Sequence, residues 1–210
     1  MMYGMESLES YLDRLASHAA VPGGGSAAAV SGAMGAALVA MVARIARANP
    51  RNADNAESLE IIAERADELR AELTQARSLD EAAYQGVVNA QALPKDNPEQ
   101  ERDRRQALDD ALARAAEEPL RSAKLNLELL QVAARLLEFP VSALSSDIGS
   151  AAELAGSALA SCAYNVRVNH KYMRDDEIVT LQREALAQTQ ADGVALLEQI
   201  RNTINSRLSS

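Results

Sequence analysis

Pro22-Gly23-Gly24-Gly25-Ser26 is the first stretch of this chain in which bare backbone could do chemistry. Three glycines ahead of a long alanine-rich run bring N–H groups to the start of a helix, where the helix dipole favours negative charge. An anionic or carbonyl-bearing ligand suits such a corner, and a plain tight turn suits it equally. The familiar glycine motifs do not apply. A phosphate-binding loop needs Lys-Ser or Lys-Thr after its last glycine, whereas Ser26 is followed by alanines. A dinucleotide fingerprint needs a strand ahead of it, and nothing before Pro22 reads as one. The segment is not a Gly-x-Ser-x-Gly elbow. The two histidines, His18 and His170, lie far apart, with no Cys or carboxylate at metal-ligand spacing, so no metal site is expected. His18 is close enough to the glycines to reach a ligand there, or else is an exposed helix-end histidine. Cys162 is the only cysteine and reads as a small buried apolar residue rather than a nucleophile.

Helices must position these residues. Leu8, Tyr11, Leu12 and Leu15 recur at helical spacing behind Ser7, giving a short helix that ends near Ser17. Ser26 is expected to cap a second helix, which Asn49-Pro50 stops at about Ala48. A third helix is expected over about 53–92, on the stripe Leu59, Ile62, Ala66, Leu69, Leu73, Ala76 and Ala83. The turn signal of residues 93–100 separates it from a fourth, over about 98–138, which Pro119 should kink or break. Residues 141–150 read as a polar linker, 151–169 as an alanine- and serine-rich fifth helix. A last amphipathic helix begins near Asp175 or Asp176. Short loops between long helices predict an all-α, up-and-down bundle of about six helices, two of them long, in one domain spanning 1–210.

The second helix is expected to be buried. It holds no charge from Ser26 to Ala43, but Ala, Gly, Ser and Val make it a poor membrane span. Ala28, Gly32 and Ala36, and likewise Ser31 and Gly35, are spaced by four, so another backbone can approach closely. The fifth helix repeats this with Ala151, Ala155 and Leu159, and with Gly156 and Ala160. The two helices would pack on each other or on a second copy.

Composition narrows the function. Hydrophobic residues make up 48% of the chain and aromatic ones only 3%, which favours helices over sheet. A net charge of −9 argues against nucleic acid and against anionic membrane surfaces. A lone cysteine suits a reducing, cytoplasmic setting. Residues 1–6 show no basic segment leading into an apolar one, so no secretory leader is expected.

VPGGGSAAAVSGAMGAALVAMVA (21–43) resembles the opening signature of the cyclodeaminase/cyclohydrolase family. That family comprises the cyclodeaminase domain of formimidoyltransferase-cyclodeaminase and free-standing bacterial methenyltetrahydrofolate cyclohydrolases. LDEAAYQGVVNAQALPK (79–95), AAEEPLRSAKLNLELL (115–130) and SDIGSAAELAGSALASCAYNVRVN (146–169) are similar to its later segments, in order. The resemblance covers nearly the whole chain but includes none of the formimidoyltransferase half. It implies an all-α homodimer that binds a tetrahydrofolate derivative as substrate and holds no tightly bound cofactor. The reaction is either closure of 5-formimidoyl- to 5,10-methenyl-tetrahydrofolate with loss of ammonia, or interconversion of 5,10-methenyl- and 10-formyl-tetrahydrofolate with water. Both pass through a tetrahedral carbon between N5 and N10 and need proton transfer rather than metal or redox chemistry.

Proton transfer of that kind suits a carboxylate whose pKa partial burial has raised. With the resemblance in hand, Asp80 and Asp147 are the expected catalytic pair, one as acid/base and the other orienting substrate. Without it, Asp80 reads as a solvated carboxylate near Arg77, and Asp147 as a helix cap. Gly23, Gly24, Gly25 and Ser26 are expected to meet the ligand through backbone N–H groups, with Ser146 beside Asp147. Arg121, Lys124 and Arg167 are candidates for substrate carboxylates, or ordinary surface cations. Tyr84 or Tyr164 would stack on the pterin, or pack in the core. A reading of another class is a non-catalytic helical bundle that binds folate or serves an assembly.

Overall fold

The computed structural model describes residues 6–209. The start of the segment searched for a leader, residues 1–5, lies outside the described residues. Six α-helices follow one another: α1 (Leu8–Leu15), α2 (Gly24–Ala48), α3 (Ala56–Gln91), α4 (Pro98–Leu136), α5 (Ser145–His170) and α6 (Asp176–Leu208). Short 3-10 turns at Pro50–Asn55 and Ser142–Leu144 lead into α3 and α5. There is no strand among the described residues.

α2 to α5 form a closed ring, each packed on its sequence neighbour and α2 on α5. Cross-helix pairs show that neighbours run antiparallel: Arg47 meets Glu60 at one end of the α2–α3 contact, while Ser26 meets Glu81 at the other. α6 lies outside the ring, against α5 and α4. The core runs along the ring axis through Val39, Leu69, Leu73, Leu129 and Ile148, all fully buried. By length and composition α2 is apolar enough to cross a membrane, yet 56% of its most apolar window is buried against the other helices.

The close approach expected of α2 and α5 is present. A Cβ on Gly35 would stand 2.9 Å from the Ala151 carbonyl oxygen, and Ser31 Oγ donates to the Leu154 carbonyl at 3.2 Å. The remaining small residues serve other neighbours. Gly32 makes room for Asn126 of α4, and Gly156 for Leu197 of α6.

Three local expectations are corrected. Ser26 does not cap α2; Gly23 does, with extended backbone, and Ser26 is the third residue of the helix, within its first turn. Residues 145–150 are the first turns of α5 rather than linker, so Ser146 and Asp147 are helical. Pro119 does not break α4, which continues through it with Pro119 buried. The hydrogen bond that Pro119 cannot make is the one its N–H would have given to the Ala115 carbonyl. That carbonyl accepts instead from Asn169 Nδ2 of α5, at 2.8 Å.

Candidate active site

At one end of the bundle the N-terminus of α2, the C-terminal part of α3, the first half of α4 and the end of α5 enclose a cavity of about 680 Å³. Gly23, Gly24 and Gly25 form one side, with Val21 ahead of them, joined to Pro22 by a cis peptide. Asp80 and Tyr84 come from α3, Leu108, Leu112 and Ala115 from α4, and Asn165 and Asn169 from α5. Tyr172 and Arg174 stand on the turn after α5. A volume of this order holds a small organic ligand.

Helical register explains the grouping. Asp80, Tyr84, Val87 and Gln91 recur at three- and four-residue steps on one face of α3, as do Asn165, Val168 and Asn169 at the end of α5, with Tyr172 just beyond it. The glycine turn, α3, and α5 with the turn after it thus bring polar groups to a chamber whose α4 wall is apolar.

Asp80 is half-buried, and the backbone N–H of Ser26 donates to its carboxyl. Burial pushes its pKa up to about 6, and the nearby negative charges of Glu81 and Glu118 push the same way, against the pull of the Ser26 N–H. Contact with the glycine turn is so close that a Cβ on Gly25 would overlap the carboxyl, with Cγ only 2.6 Å away. Glycine is needed there for the approach of Asp80, not for an unusual backbone angle. A Cβ on Gly24 would stand 3.3 Å from Asn165 Nδ2, and one on Gly23 would meet nothing within 4 Å. At the start of α2 the N–H groups of Gly24 and Gly25 have no intrahelical acceptor and border the cavity.

Behind the glycine turn lies a buried polar cluster. Ser26 Oγ donates to Glu81 Oε1 at 3.1 Å, which leaves the Tyr11 hydroxyl, 3.0 Å away, as donor to Ser26. Burial pushes the Tyr11 phenol up, so it keeps that proton. Arg14 closes the cluster against Glu81 at 3.2 Å and Glu6 at 2.8 Å. Ser26 therefore serves two carboxylates, Asp80 through its backbone and Glu81 through its side chain. Cys162, also near Asp80, is pushed up to about 12 by burial and then by the aspartate's charge, so it stays a thiol.

Other sequence-designated residues lie elsewhere. Asp147 and Ser146 are in the first turn of α5, at the opposite end of the bundle. From Asp147 to Asn165 is roughly 27 Å along the helix, at about 1.5 Å per residue. Within one chain the two aspartates are thus not brought together. Arg121 pairs with Glu118 at 3.1 Å and Lys124 is exposed; neither lines the cavity. Arg167 faces away toward α6, where it bonds Gln190 at 2.7 Å, and His170 bonds Gln182 at 2.8 Å. Tyr164 is 70% exposed and outside the cavity, as is His18. Among the described residues no three His, Cys, Asp or Glu side chains group as metal ligands.

Sequence reasoning passed over Asn165, Asn169, Tyr172, Arg174, Glu81 and Tyr11. The two asparagines carried a legible signal, amides four residues apart on an alanine-rich helix. Tyr11 and Glu81 carried none, because only the packing of α1 on α2 and α3 makes them neighbours.

Fold and site together define a class: an all-helical domain whose end cavity sets one raised-pKa carboxyl against a bare helix N-terminus. The formiminotransferase-cyclodeaminase family profile matches residues 7–188, and the chain belongs to that family. It is similar to a methenyltetrahydrofolate cyclohydrolase of Methylorubrum extorquens, 35% identical over 208 residues, which span 99% of this chain and 100% of that protein. It is also similar to the formimidoyltransferase-cyclodeaminase of Rattus norvegicus, 33% identical over 171 residues, but spans only 31% of that longer protein. The crystal structure of a formiminotetrahydrofolate cyclodeaminase from Thermotoga maritima superposes with a TM-score of 0.88 at 26% identity, covering 97% of this chain and 98% of that one. The resemblance drawn from the glycine segment and the later motifs is therefore correct, and so is the all-α fold it implied.

Proposed function

We propose that this folate one-carbon enzyme hydrolyses 5,10-methenyltetrahydrofolate to 10-formyltetrahydrofolate, with Asp80 as its acid/base. The full-length similarity to a cyclohydrolase supports the choice of reaction. The observation that carries the mechanism is Asp80 itself, half-buried at a cavity wall with its pKa raised to about 6. A carboxyl poised there is mostly ionised at neutral pH yet basic enough to take a proton.

The substrate's bridging carbon lies between two nitrogens and carries positive charge. Asp80 takes a proton from a water as its oxygen bonds to that carbon, giving a neutral tetrahedral adduct. When the adduct collapses, the carbon–N5 bond breaks and the remaining oxygen becomes the formyl carbonyl. N5 gains one proton, the hydroxyl loses one, and one proton in total passes to solvent. The unpartnered N–H groups of Gly24 and Gly25 stabilise negative charge on that oxygen as it develops. Tyr84 and Tyr172 offer ring faces to the pterin, and Arg174 offers a cation to the substrate's carboxylate tail. Asp147, Ser146, Arg121, Lys124 and Arg167 have no part in this mechanism.

A second reading, cyclodeaminase activity, is favoured by the fold match with the Thermotoga maritima protein. There the protonated Asp80 would supply a proton to departing ammonia. Offering methenyl- and formimidoyl-tetrahydrofolate separately to purified protein, and following methenyl absorbance, decides between them. Turnover of neither, with thermal stabilisation by tetrahydrofolate, would establish a binding module instead.

A homodimer is the proposed assembly. Met34, Met41 and Ile45 of α2 are 46%, 38% and 48% exposed, and with Leu8 and Leu12 of α1 they leave an apolar face suited to a second copy. Loss of the dimer in sedimentation on changing Met41→Glu tests this. A cytoplasmic location is proposed from the free, buried Cys162. No tightly bound cofactor and no nucleic-acid or membrane partner is proposed.

A further inference from the structure

A proline in the middle of a long helix ordinarily costs stability, because it removes a hydrogen bond and crowds the carbonyl one turn back. In α4 that carbonyl belongs to Ala115, a residue of the cavity wall. It is not left unpaired, since Asn169 Nδ2 donates to it at 2.8 Å. The same nitrogen donates to the Asn165 carbonyl, also at 2.8 Å. Both amide protons of Asn169 are thereby committed to backbone oxygens. The opposite orientation of the amide would set its oxygen against two carbonyl oxygens, so Pro119 and α5 together fix which way round it lies. Asn169 also borders the cavity. With its nitrogen committed, only an acceptor remains for a ligand.

We propose that Asn169 is a specificity-determining residue whose Oδ1, oriented by the carbonyl that Pro119 leaves free, accepts a hydrogen bond from an N–H group of the substrate. The pterin ring supplies such donors, and in this respect the inference rests on the folate reading above. Its recognition logic is acceptor-only: a ligand presenting an oxygen or an unprotonated ring nitrogen at that point is rejected, because no donor remains to meet it. Asn169 positions the ring and takes no part in proton transfer, so its effect belongs in binding rather than in kcat.

Two variants test this. Asn169→Ala removes the acceptor and should raise the KM for methenyltetrahydrofolate, and the Kd for tetrahydrofolate, by roughly 3- to 10-fold while kcat stays within about twofold. Pro119→Ala touches no ligand. It restores an N–H that competes for the Ala115 carbonyl and so frees the Asn169 amide to turn. Its melting temperature should rise, as expected when a proline leaves a helix, and its KM should rise nonetheless. In the double variant the two KM effects should not add. A Pro119→Ala protein that is more stable and has parental KM and Kd overturns the inference, as does an Asn169→Ala protein with parental values. Either result leaves the folate reading intact provided the parent protein turns over its substrate. Absence of any folate binding or turnover by the parent would instead sink the reading itself.

Discussion

The two aspartates that the sequence offers as a catalytic pair sit at opposite ends of the bundle, each near the N-terminus of a small-residue helix. Asp80 faces the first turn of α2 from another helix, under a cavity roofed by α4 and α5. Asp147 lies in the first turn of its own helix, α5, and does not line that cavity. One carboxyl is pressed into a partly dry chamber beside Glu81 and Glu118, and burial dominates its behaviour. The other is in the ordinary place for an acidic residue on a helix, where the dipole welcomes it. Reactivity therefore depends on what other segments fold over a carboxyl rather than on its immediate sequence neighbours.

The largest expected difference between the two ends is catalytic. Asp80→Asn should lower kcat by about 10²- to 10⁴-fold, the usual worth of a positioned acid/base, and Asp147→Asn by less than twofold. In the parent protein kcat/KM should fall as pH drops through about 6, where Asp80 takes up its proton. Stopped-flow loss of methenyl absorbance measures both. Equal losses in the two variants would erase the contrast and return Asp147 to the mechanism, by way of a second copy.

Next in size is a graded series along the glycine turn. Gly25→Ala sets a methyl group against the Asp80 carboxyl and must displace it, so a loss of about 10²-fold in kcat is expected. Gly24→Ala presses on the Asn165 amide at 3.3 Å, which can yield, and should cost only a few-fold. Gly23→Ala, in open space with extended backbone, should be near neutral. A flat series would mean that the glycines do no more than make a turn.

That series also marks how far the sequence could be read. Helical periodicity disclosed all six helices and the small-residue faces of α2 and α5, because each rests on spacing within one segment; that the two faces meet each other rather than a second copy is shown only by the fold. The glycine corner was legible as well, since chain direction alone places its N–H groups. The spacing of Asn165 and Asn169 is legible on their own helix, but that they face Asp80, and that Glu81 meets Ser26 and Arg14, depends on registers between helices, which no local pattern encodes. Arg121, Lys124 and Arg167 lie off the cavity for the same reason: charge is visible in sequence, but which face it occupies is not. Pro119 reads in sequence as a kink or a break, because the partner of the carbonyl it orphans is far along the chain, at Asn169.

The smallest effects separate the two ends by sign. The pKa of Asp80 is raised from 3.8 unfolded to about 6 folded, so its ionisation opposes folding. The penalty is absent below pH 4, grows as pH rises through 6 and is complete above it. Asp80→Asn keeps an oxygen to accept the Ser26 N–H and removes the penalty, so at pH 8 it should stabilise the protein by about 1–3 kcal/mol, a gain that vanishes at low pH. Asp147→Asn should do the reverse. It gives up a favourable charge at the start of α5 and should cost about 0.3–1 kcal/mol at pH 8. Salt tells the two apart once more. The Asp147 effect is a surface attraction and should fade in 1 M salt at about a 3 Å screening length, whereas the Asp80 effect arises from burial and should persist. Denaturant melts of both variants at pH 4 and pH 8, with and without salt, would show stability changes of the same sign only if Asp80 were as well solvated as Asp147, and then neither its raised pKa nor its role as the base would stand.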